Sequence, residues 1–360
     1  MSDDGRAFGL TRRERILDEL RQHGSVRVRD LARDLGVAEL TIRRDIGWLA
    51  EQGLATRVHG GATLRSELDR PGGARANAAR FRIGMVVPSL DYSWPQIVLG
   101  ARAAAGAHRV QLALRGASYA IDDQRRQIAS LVESGVHGLL VAPETLGSEG
   151  QALLRWLEAL PLPVVLVERQ APAALGLTRL EWVTTDHVFG GELAVRHLAA
   201  LGHARVGIVT SSQSPTSARL RLGFSRAVRD LGLSAEVDLS ASFDRVSAAA
   251  RAALIDTLLE SVRATETTAL LVHSDPQALL VQQHAADAGW RMPEELALIA
   301  YDDEIAESGE PPLSALRPAK QHVGRRAIEV MVARLADGPA RPIERVQIVP
   351  QLHARASTAR

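Results

Sequence analysis

The chain has 360 residues, 46% of them hydrophobic and 24% charged, and its 43 Lys plus Arg against 42 Asp plus Glu leave a net charge of +1. That length exceeds one typical core of roughly 100–200 residues, so two or three domains are expected, and the charge balance excludes any bulk electrostatic case for nucleic acid or membrane. No run of about 18 apolar residues is present to span a bilayer, the opening MSDDGRAFGLTRRER lacks the apolar core of a secretion signal, and the absence of cysteine excludes disulfides and thiolate metal sites, so a cytoplasmic protein is expected.

Thr11 suits the N-cap of a first helix over 12–22, which buries Ile16, Leu17 and Leu20 and stops at Gly24. Val26 and Val28 alternate with Ser25 and Arg27 as a short strand. A second helix from Asp30 carries Leu31 and Leu35, and Gly36 supplies the tight turn before a third. In that third helix, LTIRRDIGW at 40–48, Ile42, Ile46 and Leu49 recur at i, i+4 and i+7 and share a buried face. Thr41, Arg43, Arg44 and Asp45 are assigned to the other faces, where a helix in a DNA major groove presents side chains to base edges and phosphates. The helix ends near Gln52-Gly53. LATRVHGGATL, at 54–64, reads as a two-stranded wing turning at Gly60-Gly61, with Arg57 and His59 on it. Net charge does not help here, because residues 1–64 hold 11 Arg against 10 Asp plus Glu.

RRERIL, DLARDLGV, LTIRRDI and GLATRVHGGA, in that order, resemble the winged helix-turn-helix of DeoR-family transcription regulators. The resemblance covers the first 64 residues and implies a double-stranded operator as partner, with Thr41, Arg43 and Arg44 in the groove and Arg57 and His59 touching backbone or minor groove. One departure is Ala38, where the family usually has a serine capping the reading helix; losing such a cap costs about 1 kcal/mol.

Residues 65–81, with Pro71, Gly72 and Gly73 among small and charged residues, read as a linker. From 82 to 360, apolar runs (RIGMVVPS, VQLALRG, HGLLVAP, PVVLVER) alternate with amphipathic stretches, and the pattern restarts after a strand at 182–185 with ARVGIVT, TALLVHS and LALIAYDD. Such alternation predicts an α/β fold of doubly wound parallel sheets in two lobes. Lobe 1 is expected over about 82–184 and 315–342, and lobe 2 over about 185–314 and 343–357. Ligands of open α/β sheets sit at the carboxyl ends of the strands, here the cleft between the lobes.

IGMVVPSLD, GLLVAP, VVLVER, TTDHVFGGELAVRHLAALGHARVGIV, SARLRLGF, AYDD and PPLSALR resemble, in order and spacing, the effector domain of the LacI family and its periplasmic sugar-binding relatives. The resemblance implies a type I periplasmic-binding-protein-like sensor. Carried over residue by residue, it makes Arg219 a forked donor to ligand hydroxyls or carboxylates and Asp302 an acidic acceptor for sugar hydroxyls. It sets Ser274 and Asp275 where the family has Asn-Asp, and Arg169 at the end of VVLVE. Tyr92 and Trp94 fall in the loop after the first strand, where an aromatic packs on a sugar ring. The family's Gln-Pro near the last crossover is Pro318-Ala319 here, and Lys320, the only lysine, stands close by as a replacement contact.

Eleven histidines raise the question of a metal, yet no His/Asp/Glu spacing matches a zinc motif and no metal is expected. Nor is there a GxSxG, a GxGxxG after a strand or a Walker loop, so no cofactor and no catalysis are expected; GFSRA lacks the last glycine of a nucleophile elbow. The expectation is therefore a ligand-responsive regulator, a repressor of a carbohydrate uptake or catabolism operon. It works as a homodimer without membrane contact and takes a small sugar-like effector. The alternative is a sugar- or sugar-phosphate-processing enzyme with a DNA-binding head, since many DeoR-headed proteins carry such a C-terminal domain.

Overall fold

In the computed structural model the described residues are 12–13, 15–20, 25–51, 54–58, 61–64, 79–88, 94–118, 120–211, 214–243 and 246–359. They fall into two compact units that divide between Ala78 and Ala79.

The first unit is built from three helices and a small sheet. Helix α1 covers residues 12–13 and 15–20; β1 (Ser25–Arg27), α2 (Val28–Asp34), α3 (Glu39–Glu51), β2 (Ala55–Val58) and β3 (Gly61–Leu64) follow. Ile16, Leu20, Ile42, Ile46 and Leu49 are all buried, as their helical spacing requires. Two expectations change. The second helix starts at Val28, and the expected two-stranded wing is a three-stranded antiparallel sheet of order β1-β3-β2. Strand β1 adds Ser25–Arg27 to the open edge of β3, satisfying backbone groups that a bare hairpin leaves to solvent.

The second unit has two lobes. In lobe 1, β4 (Phe81–Val87), β5 (Val110–Gly116), β6 (Gly138–Val141), β7 (Val164–Val167), β8 (Glu181–Thr185) and β14 (Arg345–Ile348) form a parallel sheet of order β14-β8-β7-β6-β4-β5. Helices α4 (Trp94–Ala107), α5 (Ile121–Glu133), α6 (Gly147–Ala159) and α11 (Lys320–Asp337) belong to this lobe. In lobe 2, β9 (Arg205–Thr210), β10 (Ser234–Ser240), β11 (Ala269–His273), β12 (Ala297–Tyr301), β13 (Ser314–Arg317) and β15 (Gln351–His353) form the sheet β10-β9-β11-β12-β13-β15, parallel except for the last pair. Its helices are α7 (His187–Ala200), α8 (Pro215–Leu231), α9 (Ala248–Ala264) and α10 (Asp275–Asp287). The central strands are continuous apolar runs because helices cover both faces: Leu270, Val272, Leu298 and Ala300 pack toward α9 and α10, while Leu271, Ile299 and Tyr301 pack toward α7 and α8.

The chain crosses between lobes after β8, after β13 and after β14, which corrects the expected boundaries. Ser314–Arg317 pairs in parallel with β12, so it belongs to lobe 2 rather than to the 315–342 part of lobe 1. Arg345–Ile348 pairs with β8, so it belongs to lobe 1 rather than to the 343–357 part of lobe 2. Each lobe is pinned by one close helix pair. A Cβ on Gly100 or Gly324 would lie 1.9 Å from a backbone oxygen of the facing helix in the α4–α11 pair, and a Cβ on Gly223 would lie 1.8 Å from the Val188 oxygen in the α7–α8 pair. Only glycine permits either approach.

Candidate functional site

On α3, Arg43 and Arg44 are exposed and Thr41 is half-buried. Arg43 donates to Glu39 one turn earlier at 3.2 Å. At Ala38 the missing serine hydroxyl is offset by the backbone: the Ala38 carbonyl accepts the N–H groups of Thr41 (2.9 Å) and Ile42 (3.3 Å). Asp45 corrects the expectation. It is 2% exposed, on the buried face, and its carboxylate takes Nε of Arg12 at 2.6 Å and of Arg13 at 2.9 Å. Asp45 therefore ties α3 to α1, with the Arg13 guanidinium also over the Trp48 ring. The Arg57 side chain and His59 lie outside the described residues.

In the second unit the expected effector residues gather at the carboxyl ends of strands from both sheets. On the lobe 1 side, Arg169 follows β7 and is buried. It donates to the carbonyls of Pro143 (3.2 Å) and Glu168 (2.8 Å) and stands 5.8 Å from the centroid of Trp94, itself buried at the start of α4. The structure thus brings Trp94 and Arg169 together; Tyr92 lies outside the described residues.

On the lobe 2 side, Arg219 lies half-buried on α8, and its guanidinium makes no hydrogen bond to another described residue. Burial pushes its pKa down and Asp186 opposes this, and an arginine keeps its proton under both. Asp186 caps α7 by accepting the Phe189 N–H at 3.0 Å. Ser274 stands at the N-cap position of α10 without making a capping hydrogen bond. Asp302, after β12, adopts φ 110°, and its carboxylate lies 3.5 Å from Nζ of Lys320.

Two of the expected contacts are committed elsewhere. Asp275 is fully buried and its carboxylate accepts the backbone N–H groups of Asp303 (3.2 Å), Glu304 (2.6 Å) and Ile305 (3.0 Å), so it holds the loop that carries Asp302. Burial, reinforced by Asp302, raises its pKa to about 6. Lys320, on the first turn of α11, is buried and donates to the Asp302 carbonyl (2.9 Å) and the Glu304 carboxylate (2.7 Å). Burial acts to lower its pKa, but Asp302 and Glu304 outweigh it and raise it.

Four residues missed by sequence reading line the same region. Glu168, with φ 53°, directs its carboxylate to the hydroxyl (2.7 Å) and N–H (3.0 Å) of Thr185 and lies 3.3 Å from Nε2 of His187. Burial alone would raise its pKa; His187 and Thr185 reverse that and hold it below the usual carboxylate value. His187 Nδ1 meets the hydroxyl of Tyr301 at 2.5 Å, and His273 packs edge-on against the Tyr301 ring. Their sequence signal was adjacency: Glu168 precedes Arg169, His187 follows Asp186, and Tyr301 opens YDD. An open pocket beside the start of α6, lined by Glu144, Leu146 and Glu149, includes none of these residues. Among the described residues no cluster of His, Asp and Glu is arranged to hold a metal.

Residues 12–67 match a family model described as a DeoR-like helix-turn-helix domain, and residues 195–358 one described as a periplasmic binding protein-like domain. The ribose operon repressor of Escherichia coli (strain K12) is 30% identical over 241 residues, 66% of this chain and 70% of that protein. The HTH-type transcriptional repressor PurR of Aliivibrio fischeri (strain MJ11) is 28% identical over 219 residues, 60% of this chain; the chain spans 63% of the length of that relative. Among solved structures, a transcriptional regulator CelR–cellobiose complex superposes with a TM-score of 0.65 at 21% identity, covering 89% of this chain and 90% of that one, which shows the fold. The chain belongs to the LacI family of transcription regulators rather than to an enzyme family, and it carries a DeoR-type helix-turn-helix ahead of its periplasmic-binding-protein-like domain.

Proposed function

We propose that this protein represses genes of carbohydrate uptake or catabolism and that a small sugar or sugar derivative, held between the lobes, changes its affinity for operator DNA. The observation that carries the reading is the meeting, at the facing strand ends of two lobes, of a cation–aromatic pair (Arg169 and Trp94), an arginine without a hydrogen-bond partner among the described residues (Arg219) and an acidic acceptor (Asp302). Forked cations, carboxylates and an aromatic face are the groups that recognise a polyhydroxylated ring. The reading is supported by relatives and neighbours whose names refer to ribose and cellobiose. Ser274 and Tyr92 are assigned to the same ligand, while Asp275 and Lys320 position the loop that presents Asp302.

The DNA partner is read by Thr41, Arg43 and Arg44 from α3, with Arg57 and His59 on the wing contacting the backbone or minor groove. The proposed form is a homodimer in the cytoplasm, whose two heads would read two half-sites about one helical turn or more apart. Effector control requires that the ligand bind the two lobe arrangements with different affinity, a coupling of about 1–3 kcal/mol. A thermal-shift screen of sugars and nucleosides tests the sensor, because a ligand at about 100 times its Kd stabilises by about 2.7 kcal/mol. Arg44→Ala tests the head: operator binding is lost in a gel shift while the thermal shift by the sugar persists. Retained operator binding would count against the assignment.

A further inference from the structure

Two separate ties from lobe 1 converge on the end of one lobe 2 strand. The first runs through side chains. Glu168 follows β7 and is anchored on Thr185 at the end of β8, both in lobe 1. Its carboxylate faces His187 Nε2 at 3.3 Å, and His187 Nδ1 meets the Tyr301 hydroxyl at the end of β12. The second is Lys320 on α11, whose ammonium binds the carbonyl of the very next residue, Asp302. Both reach the strand end that presents the expected acidic acceptor for the effector.

The first tie runs from a carboxylate through an imidazole to a phenol. Burial, with Asp302, Glu168 and Asp186 nearby, drives the Tyr301 pKa far above its ordinary value, so the phenol keeps its proton and its hydroxyl pairs with His187 Nδ1. His187 Nε2 is the atom facing the Glu168 carboxylate, and a hydrogen carried there leaves Nδ1 to accept from the phenol. His273, packed on the other side of Tyr301, is held neutral by burial, and its Nδ1 is buried without a hydrogen-bond partner. Glu168 supplies the carboxylate in the chain of contacts. Its approach to Nε2 is long and imperfectly aligned, leaving slack that a small lobe rotation takes up or opens.

We infer that Glu168, His187 and Tyr301 form an interlobe relay in which His187 is a positioning residue, coupling the end of β12 to lobe 1 and thereby setting the angle between the lobes. A ligand that pulls on Asp302 then acts on the lobe angle through this relay and through Lys320. That last consequence rests on the function proposed above, whereas the lobe coupling itself does not.

The test needs neither effector nor DNA. The chain has no cysteine, so Glu133→Cys on α5 and Glu260→Cys on α9, both exposed, place one spin label on each lobe of the full-length protein. Distances are read by double electron–electron resonance in the otherwise unchanged chain and with Tyr301→Phe, Glu168→Gln or both. Each single variant is expected to broaden the interlobe distance distribution and shift its centre by about 1–2 Å, the scale of small packed-element shifts. The double variant is expected to go no further than the larger single, since either break opens the same relay. An unchanged distribution in the single variants overturns the inference, even if their Tm falls, because a purely structural hydrogen bond alters stability and not the lobe angle. Additive shifts in the double variant overturn it too, because they make the two contacts independent. Tyr301→Phe keeps the ring that fills the core, and Glu168→Gln keeps an oxygen for Thr185, so one variant reports if the other does not fold.

Discussion

Nζ of Lys320 lies 2.7 Å from the carboxylate of Glu304, so the sole lysine of the chain, itself buried, forms a part-buried ion pair that joins a lobe 1 helix to a lobe 2 loop. Removing the buried ammonium leaves the half-buried Glu304 carboxylate uncompensated. Lys320→Met is therefore expected to destabilise the full-length protein by about 2 kcal/mol, less than for a fully dry pair, read by urea unfolding followed through tryptophan fluorescence. Adding Glu304→Gln should restore part of that loss. A single variant as stable as the parent protein would show that the pair does no work.

Asp45 joins α3 to α1 through Arg12 and Arg13, whose side chains keep partial access to water. Asp45→Asn is expected to lower the stability of the N-terminal unit by about 2 kcal/mol, less than for a fully dry pair. Operator affinity should fall with it, since the reading helix loses its anchor, while sugar-induced thermal shifts stay unchanged. Circular dichroism melting and a gel shift on the same variant check both halves.

Stability is expected to depend on pH through Asp275. Its carboxyl titrates at about 6 in the folded chain against about 3.9 when unfolded, so between these values the folded state holds the proton more tightly. Stability is therefore greatest below about pH 4 as far as this group is concerned. It falls as pH rises toward about 6, by about 2–3 kcal/mol, and is level above that. Asp275→Asn should flatten this segment of the stability curve in urea titrations at successive pH values; an unaltered slope would assign the titration to another group.

Gly223→Ala places a methyl against the Val188 backbone oxygen, a neighbour that has no side chain to swing away. The α7–α8 pair must separate, and a loss of about 2–3 kcal/mol is expected, measured as a fall in the urea midpoint at unchanged m-value. Gly106→Ala, at a helical site with open space around it, should be neutral or slightly stabilising.

The alternation of strands and helices was legible because parallel strands covered on both faces must be continuous apolar runs. Ser234–Ser240 escaped notice because it is an edge strand with alternating polar residues, SAEVDLS, and Arg345–Ile348 because RVQI pairs on one side only. The lobe of Ser314–Arg317 is a question of pairing partner, which local sequence does not contain. Asp45 was misplaced although its spacing, three after Ile42 and four before Leu49, sets it on the buried stripe. Its charge argued for water, and the cations that neutralise it come from 32 and 33 residues away in sequence. At the proposed effector site the positions of Arg169 and Asp302 at strand ends and of Arg219 on a helix were legible. That Asp275 and Lys320 are committed to the 302–304 loop depends on folded distances alone.

In the proposed function one chain links a sugar-sized ligand to DNA. That link is tested most directly by selecting a duplex for the full-length protein from random DNA and measuring its Kd by fluorescence anisotropy at fixed salt, with and without a sugar that raises Tm. A change in Kd of about 5- to 150-fold is expected, the range of a 1–3 kcal/mol coupling. A sugar that stabilises the protein at saturation yet leaves the Kd for DNA unchanged would show that the two sites are uncoupled.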